Sequence, residues 1–460
     1  MAGVEDASLG PYVTVAQHTP PQRIAIIGGG WAGMAAAVQL QAQGHAIHIW
    51  EASRTWGGRA RALALQGPQG QAWTVDNGQH ILIGAYQSCL QLMRTVGITE
   101  AAALLRLPLD LRYADGTGLQ LPNLPPPWDA VLGIARARGW SWTEKLALLR
   151  QALRWKQSQF HCAPSATVAD ICQGLPARLM LDFVDPLCIS ALNLPATEAS
   201  STIFLRVLQD ALFSGQGGSN LLIGRTDLSR LFPATAAAHV QAQGAQLHLG
   251  ERVQRVAYDA ASATWQVNDQ TVDAVVLATS SADAARLVQQ ATLPAAAQDA
   301  ALQWAATAQA LPHTAIATVY AYTSQPLRGG KLLPAPMVAL RSHAQAPAQF
   351  AFDKAQFDGP SGLLALVASA SHGDKASLQM QVLEQARTQL NLPDLQALQT
   401  VIDKRATFAC TPQVQRPPAH IAPGLWACGD YVQGPYPATL EGAVRSGMHV
   451  AQALSDQAAA

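Results

Sequence analysis

The sequence predicts an α/β protein: a parallel-sheet domain built from a βαβ unit, joined to a second domain of mixed α+β character. Three observations carry this. Between Ile24 and Glu51 an apolar strand, a glycine-rich turn, an alanine-rich helix and a second strand follow one another. A comparable strand, Gly424–Cys428, returns near the C-terminus and leads through a glycine-rich turn into a helical segment, Leu440–Leu454. The 460 residues exceed what one compact core holds, so two intimately joined domains are the natural expectation.

Taken in order, Ile24–Gly28 is a short buried strand, the helix runs to about Gln43, Gly44 ends it, and Ile47–Glu51 is the second strand. A glycine-marked region, Asp76–Gly84, precedes a stretch rich in prolines and helical periodicity from Tyr86 to Gly215. The pattern then returns to α/β: a helix over Leu228–Gln243 and strands over Gln246–Val256, Ala263–Val267 and Ala274–Ala278. Strand-like Thr314–Tyr322 and Leu363–Ser369 mark the mixed region that follows. One domain is therefore assembled from separated segments, 23–85, 220–290 and 400–455, with 86–219 and 291–399 forming the other. Residues 1–22, with Glu5, Asp6, Pro11, Pro20 and Pro21 and no basic region leading into an apolar run, read as a loose extension rather than a secretory signal.

Composition excludes several classes of function. Nearly half the residues are apolar, as in a well-buried globular enzyme, and 30 basic residues cancel 30 acidic ones. A neutral chain lacks the phosphate-neutralising field of a nucleic-acid protein, so no nucleic-acid partner is expected. Cys89, Cys162, Cys172, Cys188, Cys410 and Cys428 form no C-x-x-C pair and no zinc spacing, so no metal is expected; they read as reduced thiols of a cytoplasmic protein. No uninterrupted apolar run reaches the ~20 residues that span a bilayer.

The turn Gly28-Gly29-Gly30-Trp31-Ala32-Gly33 fits G-x-G-x-x-G. Its glycines permit a tight turn, close approach of backbone to a pyrophosphate, and close packing of helix on strand. The helix N-terminus offers free N–H groups and a positive dipole end to phosphates. Glu51, roughly 20 residues on and closing the second strand, is placed to accept from ribose hydroxyls. Strand, turn, helix and terminal acid together make a Rossmann-like dinucleotide site, but leave FAD and NAD both open.

The segment after Glu51, Ala52-Ser53-Arg54-Thr55-Trp56-Gly57-Gly58-Arg59, resembles the second FAD signature of the amine oxidase, phytoene desaturase and protoporphyrinogen oxidase group. Near the C-terminus, Gly424-Leu425-Trp426-Ala427-Cys428-Gly429-Asp430 resembles that group's strand ending in Gly-Asp, and Pro437-Ala438-Thr439-Leu440-Glu441-Gly442 its closing helix. The resemblance covers Arg23 to about Leu454 and is strongest at both ends. It implies non-covalent FAD on an amine oxidase type fold. Gly57, Gly58 and Arg59 would meet the phosphates or flavin, Gly429 and Asp430 the ribityl chain, and Ala438, Thr439 and Leu440 the isoalloxazine. Val253 in Arg252-Val253-Gln254-Arg255-Val256, and Ala278, lie where this fold meets adenine.

Three stretches point to one branch. Asp76-Asn77-Gly78-Gln79-His80-Ile81-Leu82-Ile83-Gly84, the proline-rich Leu121–Trp128 and Gly434-Pro435-Tyr436-Pro437 resemble the squalene-associated flavin-dependent desaturases, also called hydroxysqualene dehydroxylases, of bacterial squalene and hopanoid synthesis. The resemblance implies a long apolar isoprenoid substrate and adds Gly78, Gln79 and His80 to the flavin contacts. Amine-oxidising relatives often carry a lysine near flavin N5, on a strand aligned with His313–Tyr322; none occurs there. No second G-x-G-x-x-G is present, so a built-in NAD(P)H site is not expected and the electron donor is external.

Loss of hydroxide from an allylic alcohol needs a donor. His80 is the first candidate acid, against a role in orienting its loop, and Tyr436 either faces substrate or packs. Asp185 reads as a cap or turn acid. Trp128, Trp140, Trp142 and Trp155 alternate with Arg136, Arg138, Lys145, Arg150, Arg154 and Lys156, which suits either peripheral docking on the inner face of an anionic membrane or an ordinary solvated helix pair. Two rival functions share the scaffold: desaturation of a terpenoid or carotenoid, and non-catalytic lipid binding.

Overall fold

A computed structural model describes residues 21–213, 215–324 and 330–459, so the expected N-terminal extension lies almost wholly outside the described residues. The organising element is a six-stranded sheet. Arg23–Ile27 pairs in parallel with Ala46–Glu51 on one side and Ala274–Leu277 on the other. Gln246–Leu249 extends the first edge and Leu425–Ala427 the second, both in parallel, and His420–Ala422 closes antiparallel. Ile24, Ala25 and Ile26 are completely buried, which explains why the strand is a continuous apolar run: helices cover both faces.

The helix Trp31–Ala42 is apolar on nearly every side because it is enclosed by the sheet and by the helices Pro233–Ala242 and Leu440–Ala459. Gly447 lets the first and last of these touch. A Cβ there would stand 2.2 Å from the Ala32 carbonyl oxygen. The helix expected over Leu228–Gln243 is two helices, Leu228–Leu231 and Pro233–Ala242, because Pro233 has no N–H with which to continue the first. The strand expected over Gln246–Val256 likewise divides into Gln246–Leu249 and Val256–Asp259.

A second, antiparallel sheet runs Met337–Ala339, Phe350–Asp353, Leu363–Ala368, His313–Tyr322, Gln396–Phe408. Its strands show a period of two. Val319, Leu364, Leu366 and Ala351 face the helix Lys375–Leu390, while Ile316, Phe350, Phe352 and Val367 face inward to a cavity. The expected boundary at residue 400 is corrected here. Residues 400–408 continue a 13-residue strand that pairs along His313–Tyr322, so they belong to the second sheet.

Helices Trp128–Arg136, Trp142–Gln157, Asp185–Leu192 and Ser201–Phe213 form the third wall of that cavity. A π-helical turn, Met180–Val184, carries Phe183 to the same wall. Asp185 acts structurally: its carboxylate accepts from the Ala196 N–H, bridging the left-handed turn at Asn193. Among the described residues no helix is long and apolar enough to cross a membrane.

Candidate active site

The first glycine loop is wired to the second. The Gly57 N–H donates to the Gly29 carbonyl at 3.0 Å, and Gly30 and Gly57 form a parallel bridge. Glu51 organises the same turn, accepting from the N–H of Gly29 at 2.8 Å through one oxygen and from that of Ser53 at 2.7 Å through the other. Each carboxylate oxygen keeps a second lone pair for a ribose hydroxyl.

The glycines of the fingerprint divide the labour. A Cβ on Gly33 would lie 2.0 Å from the Gly28 carbonyl oxygen, so this glycine serves helix–strand packing and does not line the cavity. A Cβ on Gly30 would have nothing nearer than 3.9 Å, and Gly30 opens directly on the cavity. Gly30, Trp31 and Ala32 present a helix N-terminus with no side-chain cap. A second N-terminus converges on the same space from Ala438, Thr439 and Leu440, with Thr439 Oγ1 capping the Gly442 N–H at 2.9 Å.

Arg59 and Asp430, expected to reach the cofactor separately, are ion-paired with each other, and Arg59 also donates to the Ala406 carbonyl at 2.8 Å. Asn77 ties in the next segment, donating to the Arg59 carbonyl at 2.8 Å and accepting from the Arg61 N–H at 3.0 Å. This delivers Gly78, Gln79 and His80 to the cavity wall. Val253, Ala278, Ala52, Gly58 and Gly429 line it as well. Two uncapped or partly capped helix ends, a carboxylate at the strand end and an open glycine face suit a dinucleotide carrying a flavin.

His80 Nδ1 lies 2.8 Å from the Gly78 carbonyl. A carbonyl only accepts, so Nδ1 carries the proton, and neutral His80 turns an unprotonated Nε2 outward. Burial lowers the His80 pKa; the Gly78 carbonyl opposes this, while Arg59 reinforces it. At neutral pH the residue is a base, and it serves as an acid only after taking up a proton.

Of the two readings of Tyr436, facing substrate or packing, the geometry favours packing. It does not line the cavity but is stacked by the guanidinium groups of Arg445, at 4.5 Å, and Arg206, at 5.4 Å. Tyr86, edge-on to Tyr436 at 6.5 Å, lines the cavity instead. Sequence reasoning also passed over Asp403, Ala406 and Thr407, which reach the site because the long strand Gln396–Phe408 bends past it. Nothing local in their sequence marks them.

The cavity is one continuous space of about 750 Å³. From the glycine loops it extends into an arm lined by residues such as Leu121, Leu148, Trp155, Phe183, Phe204 and Phe352. The chemistry thus changes along it, from backbone N–H groups and charge to aliphatic and aromatic walls.

Comparison with known proteins agrees with this geometry. Residues 31–455 match the family described as flavin containing amine oxidoreductase. A hydroxysqualene dehydroxylase of Sinorhizobium fredii is 25% identical, the alignment covering 95% of this chain and 99% of that protein. One from Zymomonas mobilis is 26% identical, covering 93% and 97%. An oxidoreductase from Methanosarcina mazei superposes with a TM-score of 0.69 at 17% identity, over 94% of this chain and 100% of that one; at that identity the likeness is one of fold. A match along almost the entire chain, on a site shaped for a dinucleotide, places the protein: it belongs to the flavin containing amine oxidoreductase family and is a flavin-dependent oxidoreductase.

Proposed function

We propose that the protein is an FAD-dependent reductive dehydroxylase that converts hydroxysqualene to squalene. The observation that carries this reading is the continuity of the cavity from the glycine loops into a long apolar arm, which suits a hydrocarbon chain held against a dinucleotide. Full-length similarity to hydroxysqualene dehydroxylases of two bacteria supports the substrate. In the reaction a C–O bond breaks, a C–H bond forms from a hydride, and the departing oxygen takes a proton and leaves as water. Reduced flavin supplies the hydride when bound.

The chain's own residues exclude water, hold the substrate and manage the proton. The aliphatic arm binds the isoprenoid and keeps the reacting carbon dry. Phe183, Phe204 and Phe352 offer aromatic faces to positive charge developing at that carbon. His80, once protonated, would deliver the proton from this wall. None of the six cysteines lines the cavity, which supports non-covalent retention of the cofactor.

The arm also supports peripheral membrane docking. Helix Trp142–Gln157 turns Leu148, Ala152 and Trp155 to the cavity and leaves Trp142, Leu146 and Leu153 on the outside, 68%, 46% and 57% exposed. Trp128 and Leu181 are exposed as well, and so are Arg136, Arg138, Arg150 and Arg154 in the same part of the chain. Exposed apolar side chains on elements that also expose arginine suit an anionic lipid surface.

Anaerobic enzyme reduced with dithionite tests the reaction. Added hydroxysqualene should yield squalene in a single turnover and leave oxidised flavin. No squalene from flavin-loaded, pre-reduced enzyme defeats the reading, and a desaturated product from oxidised enzyme replaces it with a desaturase.

A further inference from the structure

A buried ammonium lies behind the cavity wall. Lys354 follows the strand Phe350–Asp353 and is only 7% exposed. Its Nζ donates to Gln79 Oε1 at 3.3 Å and sits 4.6 Å over the ring of Phe357. Among the described residues it forms no ion pair. Burial lowers its pKa, with Asp76 pulling the other way. The Asp76 carboxyl is pushed up to about 6, chiefly by burial, with Lys354 opposing the rise. Keeping a charge in such a place is costly unless the charge has work to do.

Lys354 fixes the orientation of Gln79. An ammonium can only donate, so Oε1 must face it, and both Nε2 hydrogens are turned away. Gln79 lines the cavity, and its Nε2 has no acceptor among the described residues. Several neighbouring polar side chains in the wall are already engaged. Asn193 donates to Thr314 and Thr407 and accepts from the Ala370 N–H. Ser190 donates to the Leu187 carbonyl, and His80 spends its Nδ1 proton on Gly78. Gln79 is also placed where the chemistry changes. Asn77, on one side, is bound to the Arg59 loop, and Ile81 and Ile83, on the other, belong to the apolar wall.

We propose that Gln79 is the hydrogen-bond donor that holds the oxygen of the substrate alcohol, and that Lys354 is its positioning residue. The inference rests on the dehydroxylase reading and deepens it: it names the contact that distinguishes the alcohol from the hydrocarbon product. An Nε2–H donor rewards a hydroxyl lone pair and gives nothing to squalene. An amide held by a cation is polarised toward stronger donation. Product release then follows from loss of the oxygen, because this polar contact is lost when water departs.

The test uses the FAD-loaded enzyme, titrated with hydroxysqualene and with squalene in detergent and read through perturbation of the flavin absorption band. Wild type should prefer the alcohol. Gln79→Glu keeps an oxygen against Lys354 but replaces the donor by an acceptor. It should lose about tenfold in alcohol binding, the scale of one good hydrogen bond, while squalene binding and thermal stability hold or improve. Lys354→Met removes the charge with little change of volume and should lose the preference as well, and Lys354→Arg should restore part of it. A merely structural Gln79–Lys354 contact predicts the reverse for Gln79→Glu, a stronger pair with unchanged preference, and that result overturns the inference. A variant that alters the flavin spectrum without substrate, yet keeps the preference, overturns it too by giving the amide to the cofactor. If wild type makes no squalene when pre-reduced, the functional reading fails first; if wild type turns over and Gln79→Glu equals it, only the inference fails.

Discussion

Arg59 and Asp430 meet as an ion pair although 371 residues separate them in the chain. One comes from the loop after the second strand, the other from the turn after the last parallel strand. Their contact draws the N-terminal and C-terminal flavin motifs into one wall. Asp430 is 8% exposed at its side chain and Arg59 37%, so the pair is half desolvated and its loss should cost about 2 kcal/mol, less than a fully buried pair. Asp430→Ala should lower both flavin content and melting temperature. Arg59→Ala should do the same, and the double variant should lose clearly less than the sum, as a double-mutant cycle on flavin retention and unfolding would show.

The two glycines of the fingerprint should fail in different ways. Gly33→Ala places a methyl 2.0 Å from the Gly28 carbonyl oxygen and should destabilise the fold by roughly 3 kcal/mol or more, flavin present or absent. Gly30→Leu fills open cavity and should leave a folded but colourless protein. Calorimetry of the apo forms, set beside flavin absorbance of the purified proteins, separates the outcomes.

Proton delivery by His80 sets a pH dependence with a definite sign. Its pKa lies below the ordinary 6.5, because burial disfavours the imidazolium and Arg59 adds to that, against the Gly78 carbonyl and Asp403. The acid form is therefore scarce at pH 7 and grows as pH falls below 6.5. Single-turnover reoxidation by hydroxysqualene should accelerate from pH 8 toward pH 6 and level off once His80 is protonated. His80→Ala should flatten this limb and slow the step by 10²-fold or so while FAD stays bound. An unchanged limb in that variant removes His80 from proton delivery.

Membrane docking should depend on Trp128 and Trp142, which are 62% and 68% exposed. Their exchange for serine should weaken co-sedimentation with anionic liposomes, and salt should release the wild type. Trp140→Ser belongs to another category. Trp140 is 6% exposed, packed edge-on to Phe183 at 5.9 Å, so its loss should cost about 3–5 kcal/mol of stability. Equal pelleting of wild type and the Trp128, Trp142 double variant would return this face to plain solvation.

Much of the dinucleotide end was legible because its chemistry is local. A glycine at position 30, an acid at 51 and the pair at 57 and 58 act through backbone geometry that short spacing reveals. What spacing does not reveal is which way a side chain turns. Tyr436 and Tyr86 are equivalent as letters, yet packing between Arg206 and Arg445 withdraws the first and leaves the second on the cavity. Trp140 and Trp142 are two residues apart, yet the loop before the helix Trp142–Gln157 buries the first and the helix start leaves the second exposed. The Arg59–Asp430 and Lys354–Gln79 contacts arise from loops and turns that meet only in the folded molecule, so no window of sequence contains them. The boundary at 400 failed for the same reason: pairing with His313–Tyr322, not local composition, decides where Gln396–Phe408 belongs.

The six-stranded sheet has a consequence for how the holoenzyme is made. Arg23–Ile27 leaves the ribosome well before Leu425–Ala427, the sheet edge that carries Asp430. The helix Leu440–Ala459, which seats on Trp31–Ala42 through Gly447, comes later still. While the intervening residues are made, a nascent chain therefore exposes the phosphate loop without the wall that would retain a ligand there. Cofactor capture should be post-translational and cooperative with final sheet closure. In a flavin-starved cell, the accumulating species should be a loosely closed apoprotein whose helix Leu440–Ala459 is readily clipped by protease.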